Sequence, residues 1–152
     1  MRVNEIMKQP PATCTTNASV ADAAKIMHDS KCGFVPVVDP HGVVVGVVTD
    51  RDVCLLVGDK NRAMTHTSVE EAMSRPVFSC YADENVKVTL GTMARRHVRR
   101  LPVLDKHGHL QGVLSIDDVI QAPYRRGSPV AEEIVSALKG IGATRPLETA
   151  TA

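Results

Sequence analysis

Apolar residues along this chain follow two different periods, and the order in which the periods alternate occurs twice. Val20, Ala23, Ala24 and Met27 recur at helical spacing behind Ser19, which reads as an N-cap with Asp22 three residues on. Two short β-rich runs come next, at 34–38 and 43–49, joined by Asp39-Pro40-His41-Gly42, whose glycine can supply the positive φ of a tight hairpin. A helix over 50–57 closes the pattern. In the second half Asn85 is the cap and Val86, Thr89, Leu90 and Met93 form the stripe. Runs at 100–104 and 110–115 flank Asp105-Lys106-His107-Gly108, and a helix is expected over 116–121. With a first strand at Thr13 or Ser79, each copy reads strand, helix, strand, strand, helix.

The resemblance between the halves is a sequence repeat. Val3-Asn4-Glu5-Ile6-Met7 recurs as Val69-Glu70-Glu71-Ala72-Met73, and the same offset of 66 residues runs without a gap to Val53 and Val119. Identical pairs include Pro10/Pro76, Cys14/Cys80, Met27/Met93, Pro36/Pro102, Gly46/Gly112 and Asp52/Asp118. The expected division is a first repeat with its connector over 1–66, a second repeat over 67–122, and a short helix with a tail over 123–152. Gly58-Asp59-Lys60-Asn61-Arg62 reads as a polar connector, and Ser68-x-x-Glu71 as a capping box that restarts the fold. A helix opened by Ser128-Pro129 carries Val130, Ile134, Val135, Leu138 and Ile141 on one side and is closed by Lys139-Gly140. That stripe suits either the second copy or another subunit, and residues after Thr144 are expected to fray.

A strand-rich unit of about 60 residues buries only about 60% of its surface and is marginal alone. Two such units are therefore expected to pack sheet to sheet about a pseudo-twofold axis, an α+β fold with one shared core and equivalent clefts beside the axis. The same logic predicts a homodimer through exposed helix faces.

Composition narrows the function. Eighteen Lys and Arg against 17 Asp and Glu leave a formal charge of +1, so bulk electrostatics draws the chain neither to nucleic acid nor to anionic lipid. Aromatics make up 3%, with no Trp, which leaves little for base stacking. No apolar run approaches the ~18 residues of a membrane span. The polar start lacks a secretory core, so a cytoplasmic setting is expected. Cys14, Cys32, Cys54 and Cys80 are scattered, with no C-x-x-C pair, and are read as reduced thiols rather than metal ligands. Neither Cys–His nor Ser–His–Asp catalysis is supported, and no enzymatic role is expected.

Chemistry concentrates in two places. Gly46-Val47-Val48-Thr49-Asp50-Arg51-Asp52 and Gly112-Val113-Leu114-Ser115-Ile116-Asp117-Asp118 both read G-x-x-[ST]-x-x-D. A strand there delivers a hydroxyl to a helix N-terminus, where unpaired N–H groups favour anionic ligand atoms. One turn on, Asp52 or Asp118 can accept two adjacent ribose hydroxyls, and the glycine leaves room for a flat ring or a backbone. The same residues are also ordinary helix caps worth about 1 kcal/mol each, and for either motif alone capping is the favoured reading. Duplication shifts the balance toward a ligand. The second place is Arg95-Arg96-His97-Val98-Arg99-Arg100, where Arg99 and Arg100 stand at a strand mouth able to hold phosphate, while Arg95 and Arg96 read as a solvated helix end. Gly33-Phe34 replaces the basic pair in the first copy. Thr13 and Ser79 are paired hydroxyls that could line the same clefts.

These residues resemble a tandem pair of CBS (cystathionine β-synthase) domains over about 3–119. The resemblance rests on the repeated opening segments, on Phe34-Val35-Pro36-Val37-Val38-Asp39 and Leu101-Pro102-Val103-Leu104-Asp105, and on the two G-x-x-[ST]-x-x-D motifs. It implies a regulatory module that binds AMP, ADP or ATP, or in some members NAD(H) or S-adenosylmethionine. By resemblance Asp52 and Asp118 would hold ribose hydroxyls, Thr49 and Ser115 would contact ribose or phosphate, Thr13 and Ser79 would line the adenosine pocket, and Arg99 and Arg100 would reach phosphates. Regulation is expected to act in trans on a protein partner or through a homodimer. The competing classes are a ligand-free protein-interaction module and, weakest, nucleic-acid binding through the arginine cluster, which would fall steeply with salt.

Overall fold

The computed structural model describes residues 1–60 and 63–143. The tail expected to fray and the 61–62 part of the connector lie outside the described residues. Both copies take the expected order. In the first, β1 (Cys14–Thr15) pairs in parallel with β2 (Phe34–Val38), which pairs antiparallel with β3 (Val44–Thr49). Helix α1 (Val20–Asp29) crosses between β1 and β2, and α2 (Asp50–Lys60) follows β3. The second copy opens with α3 (Val69–Ala72) and repeats the sheet as β4 (Cys80–Tyr81), β5 (Arg100–Leu104) and β6 (Leu110–Ser115), with α4 (Val86–Arg96) as crossover and α5 (Ile116–Gln121) after β6. Helix α6 (Ala131–Gly142) ends the described chain.

Local sequence accounts for these elements. Ser19 Oγ accepts from the Asp22 N–H while the Asp22 carboxylate accepts from the Ser19 N–H, so α1 begins with its capping box formed. Asn85 accepts from the Lys87 N–H, and Val86, Thr89, Leu90 and Met93 are all buried, as their spacing requires. Val43 lies just outside β3 because it bridges to His109, where the tips of the two hairpins meet. Ser68 caps α3 through the Glu70 N–H rather than through the expected box.

The buried residues form two clusters rather than the single shared core expected, and each cluster borrows from the other copy. Val3, fully buried, belongs to the cluster of Val86, Met93, Leu101 and Leu114; Val69, equally buried, belongs to that of Val20, Val35, Val37 and Val48. Backbone bonds fix the exchange. The Val3 and Asn4 N–H groups donate to Glu84 O and Ala82 O at 3.0 and 2.8 Å, and Lys8 exchanges two bonds with Val113 of β6 at 2.9 and 3.2 Å. Reciprocally, the Val20 and Val69 N–H groups donate to Thr67 O and Ala18 O, and Ser74 exchanges two bonds with Val47 of β3. The opening segment of each copy thus completes the other copy's unit.

This exchange decides between the two sequence readings of the repeated strand glycines in favour of a close backbone approach. A Cβ on Gly46 would run into the Met73 side chain, and one on Gly112 would lie 2.9 Å from both Lys8 O and Met7 Sδ. Both glycines admit the crossing segment, not a ligand ring.

Three helix ends shift. Helix α2 runs through Gly58 to Lys60, past the expected end at Val57; a Cβ at Gly58 would meet nothing within 4 Å, so the residue rides exposed on the last turns. The final helix starts at Ala131, not at Ser128-Pro129, because Ser128 Oγ accepts from the Arg125 N–H and Glu133 caps the Val130 N–H. It also runs past Gly140, whose missing side chain lets α6 pack against Ala94 of α4. Ile134, Ala137 and Ile141 pack into the second copy's cluster, whereas Val130, Val135 and Leu138 of the same stripe stay exposed. Among the described residues no helix is long and apolar enough to cross a membrane.

Candidate functional site

Both G-x-x-[ST]-x-x-D motifs sit where a strand passes into a helix, and both form reciprocal caps. Thr49 N–H and Oγ1–H donate to Asp52 Oδ2 at 2.9 and 2.7 Å, and the Asp52 N–H donates back to Thr49 Oγ1 at 3.2 Å. At the second copy Ser115 N–H and Oγ–H donate to Asp118 Oδ2 at 2.8 and 2.5 Å, and the Asp118 N–H returns a bond at 3.1 Å. Capping therefore uses one carboxylate oxygen of each aspartate. The second oxygen differs between copies. Asp118 Oδ1 lies 3.3 Å from Lys8 Nζ, whereas Asp52 Oδ1 takes no bond among the described residues.

Beside Asp52 lies an open cavity of about 1010 Å³. Its floor is the start of β2 and the β3–α2 junction: Gly33, Phe34, Val47, Thr49, Asp50, Arg51 and Asp52. One wall is the crossing segment of the second copy, with Ser74, Arg75, Pro76 and Phe78, and the other is the end of α4 with the mouth of β5, from Arg95 to Arg100. Six arginines face two aspartates around this one cleft, although the whole chain is nearly neutral.

Several of these cations are held. Arg75 Nε donates to Val45 O at 3.0 Å, Arg96 stacks 4.6 Å above the Phe78 ring, and Arg95 donates to Thr92 Oγ1. Arg99 lies 3.6 Å from Asp117. His97 ends α4 with φ +53 and its Nδ1 is 2.9 Å from Gly140 O, tying the cavity wall to α6. The shape suits an elongated anion: a helix N-terminus and a carboxylate at one end, guanidinium groups along the other.

Of the residues singled out from sequence, Thr49, Asp52, Arg99 and Arg100 line this cavity together. Ser115 and Asp118 lie at the equivalent junction of the other copy, outside the cavity, and Thr13 and Ser79 precede β1 and β4 without lining it. Arg95 and Arg96, expected as a solvated helix end, belong to the wall. Arg75, Phe78, Arg51 and His97 were not foreseen. Arg75 and Phe78 reach the first copy's cleft only because the opening segments cross over.

Burial pushes the Cys14 thiol up to about 11 and the Cys80 thiol up to about 12, and the described residues contain no cluster of three or more His, Cys, Asp or Glu that could hold a metal.

Comparison with known proteins extends this geometry. The CBS domain family model matches residues 3–59 and again 69–125. The solved CBS domain pair of protein MJ0100, in complex with 5′-methylthioadenosine and S-adenosyl-L-methionine, is 28% identical, with a TM-score of 0.73 over 80% of this chain and 94% of that one. CBSX2 in complex with AMP is 27% identical, with a TM-score of 0.69 over 79% of this chain and 93% of that one. The L-aspartate semialdehyde sulfurtransferase of Methanocaldococcus jannaschii is 31% identical over 117 residues, 77% of this chain, which spans only 22% of that enzyme. Matched twice at the spacing of its own internal repeat, and sharing the paired architecture of those structures, the chain belongs to the CBS domain family as a tandem pair.

Proposed function

We propose that this CBS pair is a non-enzymatic regulatory module that binds an adenine nucleotide, AMP, ADP or ATP, in the cleft beside Asp52. The observation that carries the reading is the convergence of six arginines on a cavity whose floor is the Thr49–Asp52 junction. Asp52 Oδ1 accepts the ribose diol while Oδ2 keeps the cap, and Thr49 sits beside the sugar or its phosphate. Arg96, Arg99 and Arg100 of one wall, with Arg75 from the opposite wall, hold the phosphates.

Charge selects among the adenosine ligands. S-adenosylmethionine carries a sulfonium cation, which an arginine-rich cleft repels, whereas each added phosphate gains attraction. That consideration favours nucleotides over the ligand named for the MJ0100 pair, and it accords with the AMP named for CBSX2.

The cleft takes its floor from one copy and its walls from the other, so a ligand contacts both. Occupancy then biases the relative position of the copies in proportion to its differential affinity for the two arrangements. The output acts in trans on a protein partner or through a homodimer. The exposed apolar side chains Leu55, Val88 and Ile120, on α2, α4 and α5, support the dimer. Four unpaired cysteines suit a reducing, cytoplasmic compartment.

The test is thermal unfolding with AMP, ATP and S-adenosylmethionine. A nucleotide at a hundredfold its Kd adds about 2.7 kcal/mol, or about 5–10 °C for a chain of this size. The shift should shrink in Asp52→Ala and Arg100→Ala. No shift with any adenosine ligand at millimolar concentration overturns the reading.

A further inference from the structure

We propose that the two related clefts have diverged into one nucleotide site and one site satisfied from within, so that each chain takes a single nucleotide, at Asp52. The inference rests on the nucleotide reading above and adds which cleft is used.

The 66-residue offset pairs every lining residue of the Asp52 cleft with a counterpart at the Asp118 junction, and the backbone exchange is the same at both. Ser74, bridged to Val47, corresponds to Lys8, bridged to Val113. At that position the second junction gains an ammonium group, which lies 3.3 Å from Asp118 Oδ1. Since Oδ2 already accepts the Ser115 cap, both oxygens of Asp118 are engaged before any ligand arrives. The Lys8 side chain is 77% exposed and that of Asp118 only 10%. The pair is therefore no rigid lock, but it supplies the partly buried carboxylate with a cation where a diol would have to sit.

None of the six arginines has a basic counterpart, while the second junction carries Arg99, Arg100 and Lys31 at the positions of Gly33, Phe34 and His97. Arg75 corresponds to Gln9, Arg95 to Asp29, Arg96 to Ser30 and Arg51 to Asp117. Arg99, at the strand mouth near both junctions, is drawn toward Asp117 at 3.6 Å. A phosphate at the second junction would meet Asp29 and Asp117 where the first offers Arg95 and Arg51, so the attraction is weaker there. Phe78, whose ring lies beneath Arg96 in the first cleft, corresponds to Ala12. Finally, α5 spans Ile116–Gln121 against Asp50–Lys60 for α2, so the second junction has roughly half the helix behind its N-terminus.

Isothermal titration of the full chain with ATP tests this. The expected result is one ATP per chain, with Asp52→Asn weakening the association at least ~tenfold and revealing no remaining tight site. The pair Arg75→Gln with Arg95→Asp gives the first cleft the second junction's charges at two exposed positions. It should weaken binding at least ~tenfold with the melting temperature unchanged. Two ATP per chain, or one ATP retained at wild-type affinity in Asp52→Asn, overturns the proposal while leaving the nucleotide reading intact. No binding of ATP at all overturns both.

Discussion

Replacing Gly112 by alanine asks whether the crossing of the opening segments governs stability. The new methyl would lie 2.9 Å from Lys8 O and 2.9 Å from Met7 Sδ. Met7 can swing aside, but Lys8 O is a backbone atom accepting the Val113 N–H at 3.2 Å, and the Lys8 N–H donates to Val113 O at 2.9 Å. Relief requires the segment to lift off β6. Overpacking costs about 1–3 kcal/mol, a weakened backbone bond adds about 1, and the lower entropy of an unfolded alanine returns about 0.4–1. The net loss is about 2 kcal/mol, or a fall in Tm of about 4–8 °C.

Gly46→Ala is the matched control, because the three atoms nearest that position all belong to the Met73 side chain, with Cγ at 2.9 Å. Denaturant unfolding of two double-mutant cycles separates the cases. Gly46→Ala with Met73→Ala should show a favourable coupling of about 1 kcal/mol or more, since truncating the methionine clears the space. Gly112→Ala with Met7→Ala should couple by less than about 0.5 kcal/mol, because the carbonyl stays in place. A Gly112→Ala protein as stable as wild type, or strong recovery by Met7→Ala, would refute the steric argument.

Two further outcomes follow from the caps and the thiols. Thr49→Ala and Ser115→Ala should each cost about 1 kcal/mol in chemical denaturation, but only Thr49→Ala should also weaken ATP binding in titration. Equal losses of affinity in both would count against a single site. Cys54, exposed on α2, should react first with a thiol reagent at pH 8, with Cys14 and Cys80 labelled only on unfolding. Because burial raises both buried thiols above the usual 9.0, the unfolded chain releases protons first. Stability should therefore be intact below pH 9 and decline as pH rises toward 11 to 12, as followed by urea unfolding across that range.

Much of the fold could be read in the sequence because its signals are local. The caps at Ser19 and Asn85, the stripe from Val86 to Met93 and the turns at Gly42 and Gly108 each depend on neighbours a few residues away. The 66-residue offset then made each half a check on the other. What escaped depends on partners far along the chain. Val3 and Val69 look like the first residues of their own repeats, and no periodicity shows that each is buried in the other. The same blindness hid Arg75 and Phe78 from the site and left open whether Gly46 and Gly112 face a ring or a backbone. Thr49, Asp52, Arg99 and Arg100 could be found because their chemistry is unusual for their positions, and the identity of Asp52 with Asp118 concealed how differently the two are surrounded.

The crossing of the opening segments also bears on how the polypeptide emerges from the ribosome. Val3 bonds to Glu84, and its cluster includes Leu114, so its burial must wait for almost the entire repeat region to be synthesised. Neither half can finish ahead of the other, and a nick between them would not liberate two self-sufficient pieces. Maturation is then a single late closure dominated by distant contacts, slower than the short helices and hairpins alone would suggest.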